Sequence, residues 1–255
     1  MSVRQDNRAP FHVSLEPARQ AAFPPGEYVG QESFMRAGEI RNLARRARFG
    51  PDVSVLDVCC GVAGPGRMLT AESGCDYLGI DYSADALEIA RELAGDLPCR
   101  FERVHVPPLP DARFDVVLLL ETMLAFRDKQ ALLREVARVL EPEGRFACTV
   151  ETGRPLVSAD QARMPDADTV WLVEWAEFTA MLCDAGMTVI WQEQCTASHQ
   201  ATAAALAQAF RADSARIGDQ IGERALDDLI AAHQLWCDWL GSGRVRKYAL
   251  VAEKR

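Results

Sequence analysis

The chain has 255 residues, 49% hydrophobic and 25% charged, with 28 Lys+Arg against 37 Asp+Glu for a net charge of −9. At this length roughly 70–75% of the unfolded surface is buried on folding, so a core forms without disulfide or metal staples. The acidic balance speaks against a nucleic-acid partner, whose affinity rests on cationic contacts. The apolar run Val116–Leu120, stopped by Glu121, is too short to cross a bilayer.

Residues 1–30 carry Pro10, Pro17, Pro24, Pro25 and Gly26 and read as an irregular N-terminal arm. Met1–Asp6 has no apolar core, so no export signal is expected and the chain is assigned to the cytoplasm. The eight cysteines then read as reduced thiols, mostly buried, with no C-x-x-C pair and no ligand spacing for a metal. A helix is predicted over 31–48, with Ile40, Leu43, Ala44 and Ala47 on one face.

Strands and helices then alternate. Val53–Val58 reads as a buried strand, Gly61–Gly66 as a turn, and Pro65 as a helix start. Asp76–Ile80 is a second strand ending in Asp81, and Ser83 caps a helix with Ala86, Leu87, Ala90, Leu93 and Ala94 on one face. Further strands are expected at Cys99–Val106, Phe114–Leu120 and Arg145–Val150, the last after a helix opened by Asp128. A helix at Glu174–Ala185 and two closing strands, Met187–Cys195 and Val245–Ala252, complete the pattern. Apolar strands between amphipathic helices indicate an α/β fold: a Rossmann-like, seven-stranded, mostly parallel sheet with helices on both faces. Residues 31–255 form the domain, and its helical insert, 198–241, reads as a lid.

The chemistry sits at the strand ends. Small residues after Val55-Leu-Asp-Val58 let a ligand approach the backbone. Gly61-Val-Ala-Gly-Pro-Gly66 is near the dinucleotide fingerprint but has Ala at its second glycine position. Asp57, four residues before Gly61, repels a pyrophosphate and suits a ligand that is cationic there. Asp81 ends the next strand and is able to take both hydroxyls of a ribose or to serve a helix start beside Ser83.

On these residues the chain resembles the class I S-adenosylmethionine-dependent methyltransferases. Val55-Leu-Asp-Val-Cys-Cys-Gly-Val-Ala63, Asp81, Leu109-Pro-Asp-Ala-Arg-Phe-Asp-Val-Val117 and Glu135-Val-Ala-Arg-Val-Leu-Glu-Pro-Glu-Gly144 follow that family's order and spacing over about 53–151. Gly64–Arg67 and Glu121–Lys129 are similar to the tocopherol, sarcosine/dimethylglycine and geranyl-diphosphate methyltransferase group. The resemblance implies S-adenosylmethionine as cofactor and methyl transfer to a small-molecule acceptor at N, O or C. It implies that Asp57 and Gly61 line the methionine end, with Cys59 in the same turn. Asp81 then binds the ribose, Tyr82 lies against the adenine, and His105 and Val106 read its edge. Glu121 lies next to the reacting methyl, and Tyr28 and Gln31 close over the methionine moiety. Cys59 and Ala63 replace two family glycines, His105 a usual Asp, and Ala125 a His frequent in related enzymes.

With Ala125 unable to act as a base, Glu121 and His233 are the catalytic candidates. His233 lies on the stripe Leu226, Leu229, Ile230, His233, Trp236, Cys237 and Leu240, where it serves either as a core histidine or as a pocket base. Two other functions stay open. One is a cofactor-binding protein with a non-methylating role; the other is a nucleotide-dependent Rossmann oxidoreductase, against which Asp57 counts.

Overall fold

The computed structural model describes residues 8–165 and 167–255. Its elements, in chain order, are α1 (Arg8–Ala22), α2 (Ala37–Arg46), β1 (Ser54–Val58), α3 (Gly64–Ser73), β2 (Asp76–Asp81), α4 (Ala84–Ala94), β3 (Cys99–Arg103) and β4 (Phe114–Leu119). A 3-10 turn at Met123–Ala125 leads to α5 (Lys129–Val139), β5 (Leu140–Thr152), α6 (Ser158–Gln161), a second such turn at Ala167–Thr169 and α7 (Trp175–Asp184). The chain finishes with β6 (Met187–Gln194), α8 (Thr196–Ala212), α9 (Ser214–Ile221), α10 (Glu223–Ser242) and β7 (Arg246–Lys254).

The seven strands form one sheet in the order β3-β2-β1-β4-β5-β7-β6. Only β7 runs antiparallel to its neighbours. Successive side chains of a strand point to opposite faces, and both faces are covered. Leu56, Val58, Val117 and Leu119 pack on one side against Leu132, Val136, Phe178 and Leu182 of α5 and α7. Val55, Tyr77, Val116 and Leu118 pack on the other against Ile40 and Leu43 of α2, Leu69 of α3 and Ala90 of α4. This is the mostly parallel α/β sheet expected from the continuous apolar strands.

The arm is the main departure. Described from Arg8 onward, it is helical to Ala22 despite Pro17 inside it. A proline there removes a backbone hydrogen bond. Leu15 and Ala18 bury against Leu206, Phe210 and Ile217 of α8 and α9, which offsets that loss. The helix predicted over 31–48 is shorter, because residues 28–36 are held in a loop. Gln31 fastens that loop: its amide nitrogen donates to the Glu27 and Met35 carbonyls at 2.9 and 2.8 Å, and its oxygen accepts from Val29 N. The insert is three helices, and with α1 it forms an apolar layer above the sheet edge where β4 ends and β7 begins.

Candidate active site

The β1–α3 turn is shaped by its backbone. Cys59, Gly61 and Ala63 all have positive φ, at 60°, 54° and 55°. Two of these sites carry side chains in a conformation that favours glycine, at a cost of about 1–2 kcal/mol each. A Cβ placed on Gly61 would meet nothing within 4 Å, so the turn opens outward there. Asp81 ties it down: Oδ2 accepts from Gly61 N at 3.0 Å and Oδ1 from Ser83 N at 2.9 Å. Asp81 therefore carries the helix-start role as well, and Ser83 caps α4 through Ala86 N.

Asp57 lies beneath this turn, 4% exposed, and accepts a hydrogen bond from the Tyr77 hydroxyl at 2.7 Å. Burial lifts its pKa to about 7; the Tyr77 bond pulls it down, and Asp81 pushes it up. Two carboxylates thus converge on one open turn, with no basic side chain bonded to either among the described residues. That donor set fits a cationic nucleoside and opposes a pyrophosphate.

The residues proposed for the adenine gather at the end of β2 and after β3. Tyr82 is 39% exposed, with its ring 6.1 Å from that of His105. His105 is exposed and Val106 half-buried. Tyr28, expected over the methionine moiety, donates its hydroxyl to Glu16 of α1 at 2.8 Å and packs its ring on Phe23 at 5.4 Å. Gln31 is 3% exposed and fully used in holding its own loop.

Glu121 follows β4 by two residues and sits in the left-handed region at φ 60°. β1 and β4 pair with Asp57 beside Leu118, so Glu121 is level with the β1 turn. Its backbone N–H donates to the Thr149 hydroxyl at 2.6 Å, and its Oε2 accepts from Phe34 N at 3.3 Å and from the Lys247 ammonium. Lys247, on β7, also pairs with Glu151 of β5 at 2.6 Å. The three side chains are 10%, 3% and 2% exposed. Burial opposes the charge on Lys247, but Glu121 and Glu151 raise its pKa above the ordinary lysine value. Burial likewise opposes the charge on Glu121, which Lys247 and His199 hold ionised.

His199, in the first turn of α8, completes this group and is the residue that sequence reading passed over. It is fully buried, with Nε2 3.4 Å from Glu39 Oε2 and Nδ1 3.9 Å from Glu121 Oε2, both off the hydrogen-bond direction. Glu39 of α2 is itself fixed by the Ser198 hydroxyl and by Arg36 N at 2.9 Å. Burial pushes the Glu39 carboxyl up, but His199, Ser198 and Arg36 N hold it down at about 2. No repeat or spacing marks these residues; the signal available was only that α8 begins where β6 ends, above the same sheet edge.

His233, the sequence-stripe candidate, shares the Phe34 ring with His199. Its Nδ1 bonds the Leu229 carbonyl at 2.8 Å, and its ring meets Phe34 and Phe210 edge-on at 5.8 and 5.1 Å. Burial drops its pKa to about 4, against the Leu229 bond. It sits in an apolar layer between these two rings. Nearby, Phe178 lies in the core, Trp175 stacks on Tyr248 at 4.4 Å and Trp171 is 37% exposed. Among the described residues, no three His, Cys, Asp or Glu side chains form a metal-binding group. No described helix is long and apolar enough to cross a membrane.

Residues 56–148 match the family model for a methyltransferase domain. The methyltransferase GfsG of Streptomyces halstedii is 35% identical over 123 residues, covering 44% of this chain and 43% of that protein. The chain thus matches under half the length of this curated relative. Haemonchus contortus phosphoethanolamine N-methyltransferase 2, solved with phosphomonomethylethanolamine and S-adenosylhomocysteine, superposes with a TM-score of 0.80 at 16% identity, over 98% of this chain and 58% of that one. The [4+2]-cyclase SpnF superposes with a TM-score of 0.75 at 22% identity, over 97% and 94% of the two chains. The fold is shared with these solved structures, and over residues 56–148 the resemblance drawn from the β1 turn onward is borne out by the methyltransferase-domain match.

Proposed function

We propose that this chain transfers a methyl group from S-adenosylmethionine to a small-molecule acceptor. The observation that carries the reading is the pair Asp57 and Asp81 on one outward-opening turn, with no cationic side chain bonded to them among the described residues. When bound, S-adenosylmethionine supplies a methyl already activated on a sulfonium. The chain's own part is to hold, align and exclude water, and alignment alone supplies several kcal/mol of barrier lowering. Asp81 offers the remaining lone pairs of its two oxygens to the ribose hydroxyls. Asp57, from beneath the turn, favours positive charge above it. Cys59 and Gly61 present backbone to the methionine end, and Tyr82, His105 and Val106 border the adenine. The layer of α1 and α8–α10 keeps water from the sheet edge at Glu121.

Titration calorimetry with S-adenosylmethionine and S-adenosylhomocysteine tests the assignment. Both are expected to bind, and Asp81→Ala to weaken binding by about 1–3 kcal/mol, roughly 5–150-fold, as loss of a charged partner does. Stabilisation by a nicotinamide dinucleotide and not by either nucleoside would reverse the reading. A second reading has one favouring observation: the cyclase SpnF shares the architecture. Binding without methyl release to any acceptor in a broad metabolite panel would select it.

A further inference from the structure

We propose that the cleft between β5, β7 and the start of α7 is a second binding site, which takes a small aromatic monocarboxylate. It is separate from the turn assigned to the nucleoside and does not rest on that assignment.

The alternation of the sheet builds the cleft. β5 and β7 pair with Thr152 opposite Arg246, Glu151 opposite Lys247 and Val150 opposite Tyr248. Successive side chains of a strand leave opposite faces. Glu151 and Lys247 bury together on one face. Arg246 and Tyr248 therefore lie on the other, where Tyr248 stacks on Trp175 of α7 with ring centroids 4.4 Å apart. Both rings line a cavity of about 460 Å³, within the range that small organic ligands fill. β4 stands between β1 and β5 in the sheet, which sets this cleft apart from the β1 turn.

Its walls are held by the chain itself. The Arg244 guanidinium donates to the Arg154 and Pro155 carbonyls at 2.9 and 3.2 Å and to the Asp160 carboxylate at 2.7 Å. Gly153 N donates to the Val173 carbonyl at 2.9 Å. A Cβ on Gly153 would meet the Arg244 carbonyl oxygen at 2.7 Å, so the two wall segments run backbone to backbone. A cleft fixed in this way has little ordering left to do when a ligand enters.

Charge selects the ligand. Arg154, Arg244 and Arg246 line the cleft, with Glu174 as its one carboxylate among the described residues. Arg154 and Arg246 are exposed, and neither guanidinium has a hydrogen bond or ion pair among the described residues. Three guanidiniums against Glu174 and the Asp160 that Arg244 already holds leave one positive charge over, in a chain whose net charge is −9. That excess matches a monoanion better than a phosphate dianion, and the guanidinium fork fits a carboxylate through two parallel hydrogen bonds. The Tyr248 hydroxyl and the Trp175 indole N–H are also without a hydrogen-bond partner among the described residues. The two rings give a flat ligand body an aromatic wall. A cationic head group is repelled by the arginines, and a neutral one gains the wall without the fork.

The test titrates naphthoate, naphthalenemethanol and naphthylmethylamine, one ring system with three head groups, into the full chain while NMR follows the indole N–H signals. The signal lost in Trp175→Phe identifies Trp175. Naphthoate should shift that signal and bind about tenfold tighter or more than the alcohol, a gap of about 1.4 kcal/mol, and the amine should bind weakest. Arg154→Gln and Arg246→Gln should each weaken naphthoate binding by about tenfold, as loss of a charge-assisted hydrogen bond does, and leave the alcohol unchanged. Both side chains are exposed, so the variants should melt with the wild type, which shows them folded. Saturating S-adenosylhomocysteine should leave naphthoate affinity unchanged. Equal affinity for acid and alcohol, an unmoved Trp175 signal, arginine variants that bind naphthoate as the wild type does, or displacement of naphthoate by S-adenosylhomocysteine would overturn this proposal and leave the methyl-transfer reading untouched. Failure to bind S-adenosylhomocysteine, with naphthoate behaving as expected, would overturn the methyl-transfer reading and leave this site standing.

Discussion

Lys247→Met isolates the energetics of the buried charge cluster. Lys247 is 3% exposed and shared by Glu121 and Glu151, themselves 10% and 2% exposed. Methionine keeps the length and apolar body of the side chain and deletes only the charge. Removing one partner from a buried ionic group typically costs about 3–5 kcal/mol, because uncompensated charge remains inside. At about 2–4 °C per kcal/mol for a chain of this size, the melting point should fall by roughly 6–20 °C. The sign with pH is fixed. In the wild type, burial opposes the Glu121 charge, but Lys247 and His199 hold its pKa below the ordinary carboxylate value. That contribution is present above the unfolded pKa and lost as pH falls through the folded one. Without the ammonium, burial raises the folded pKa, so the variant loses stability as pH rises. The gap between the two proteins should therefore be widest near neutrality and narrow toward pH ~4, the unfolded carboxylate value. Denaturant unfolding with nucleoside absent measures both arms. Adding Glu151→Gln to Lys247→Met should recover part of the loss. A deficit below about 1 kcal/mol, or one indifferent to pH, would show that the cluster is wet and the burial argument wrong.

Three further outcomes follow from packing and burial. Gly66→Ala drives a Cβ into the phenol ring and hydroxyl of Tyr77, which is fully buried and holds Asp57; it should cost about 1–3 kcal/mol and weaken S-adenosylmethionine binding. Gly74→Ala, with open space but φ at +70°, should cost about 1–2 kcal/mol and leave binding unchanged, as calorimetry on both variants would read. His233→Gln should leave nucleoside affinity intact and flatten the acid limb of stability. Burial sets the His233 pKa to about 4, so its stabilisation is present above the unfolded value of about 6.5 and lost between the two as pH falls.

The sheet was legible because its central strands are buried on both faces and so read as apolar runs, Val55–Val58 and Val116–Leu119 above all. The β1 turn was legible through Asp57, Gly61 and Asp81, which are close in sequence. The arm was not. Pro17 argues against a helix locally, and Leu15 and Ala18 find their partners about 190 residues away on α8. The acidic cluster was half legible. Glu121 stood out at the end of β4, but Glu39, Glu151, His199 and Lys247 lie on four other elements and share no period. His233 attracted notice because it breaks an apolar stripe. His199 sits in the Ala-rich start of α8, where nothing in the local pattern marks it.

The two acidic centres of the sheet edge differ in one respect that binding can expose. The Glu121–Glu151 pair carries its own cation; Asp57 does not. Burial lifts the Asp57 carboxyl to about 7, with the Tyr77 bond lowering it and Asp81 raising it. Near pH 7 roughly half of these carboxyls are protonated in the free protein. A sulfonium brought to the turn favours the ionised form, so S-adenosylmethionine should displace up to about half a proton per site near pH 7. S-adenosylhomocysteine lacks that charge and should displace less. Calorimetry in two buffers of different ionisation enthalpy counts the protons directly. The release should fade as pH rises above the free-protein pKa, and Tyr77→Phe, by deleting the bond that lowers it, should carry the release to higher pH. If both nucleosides displace the same number of protons in wild type and Tyr77→Phe alike, Asp57 does not sense the sulfonium, and its place beneath the turn is structural only.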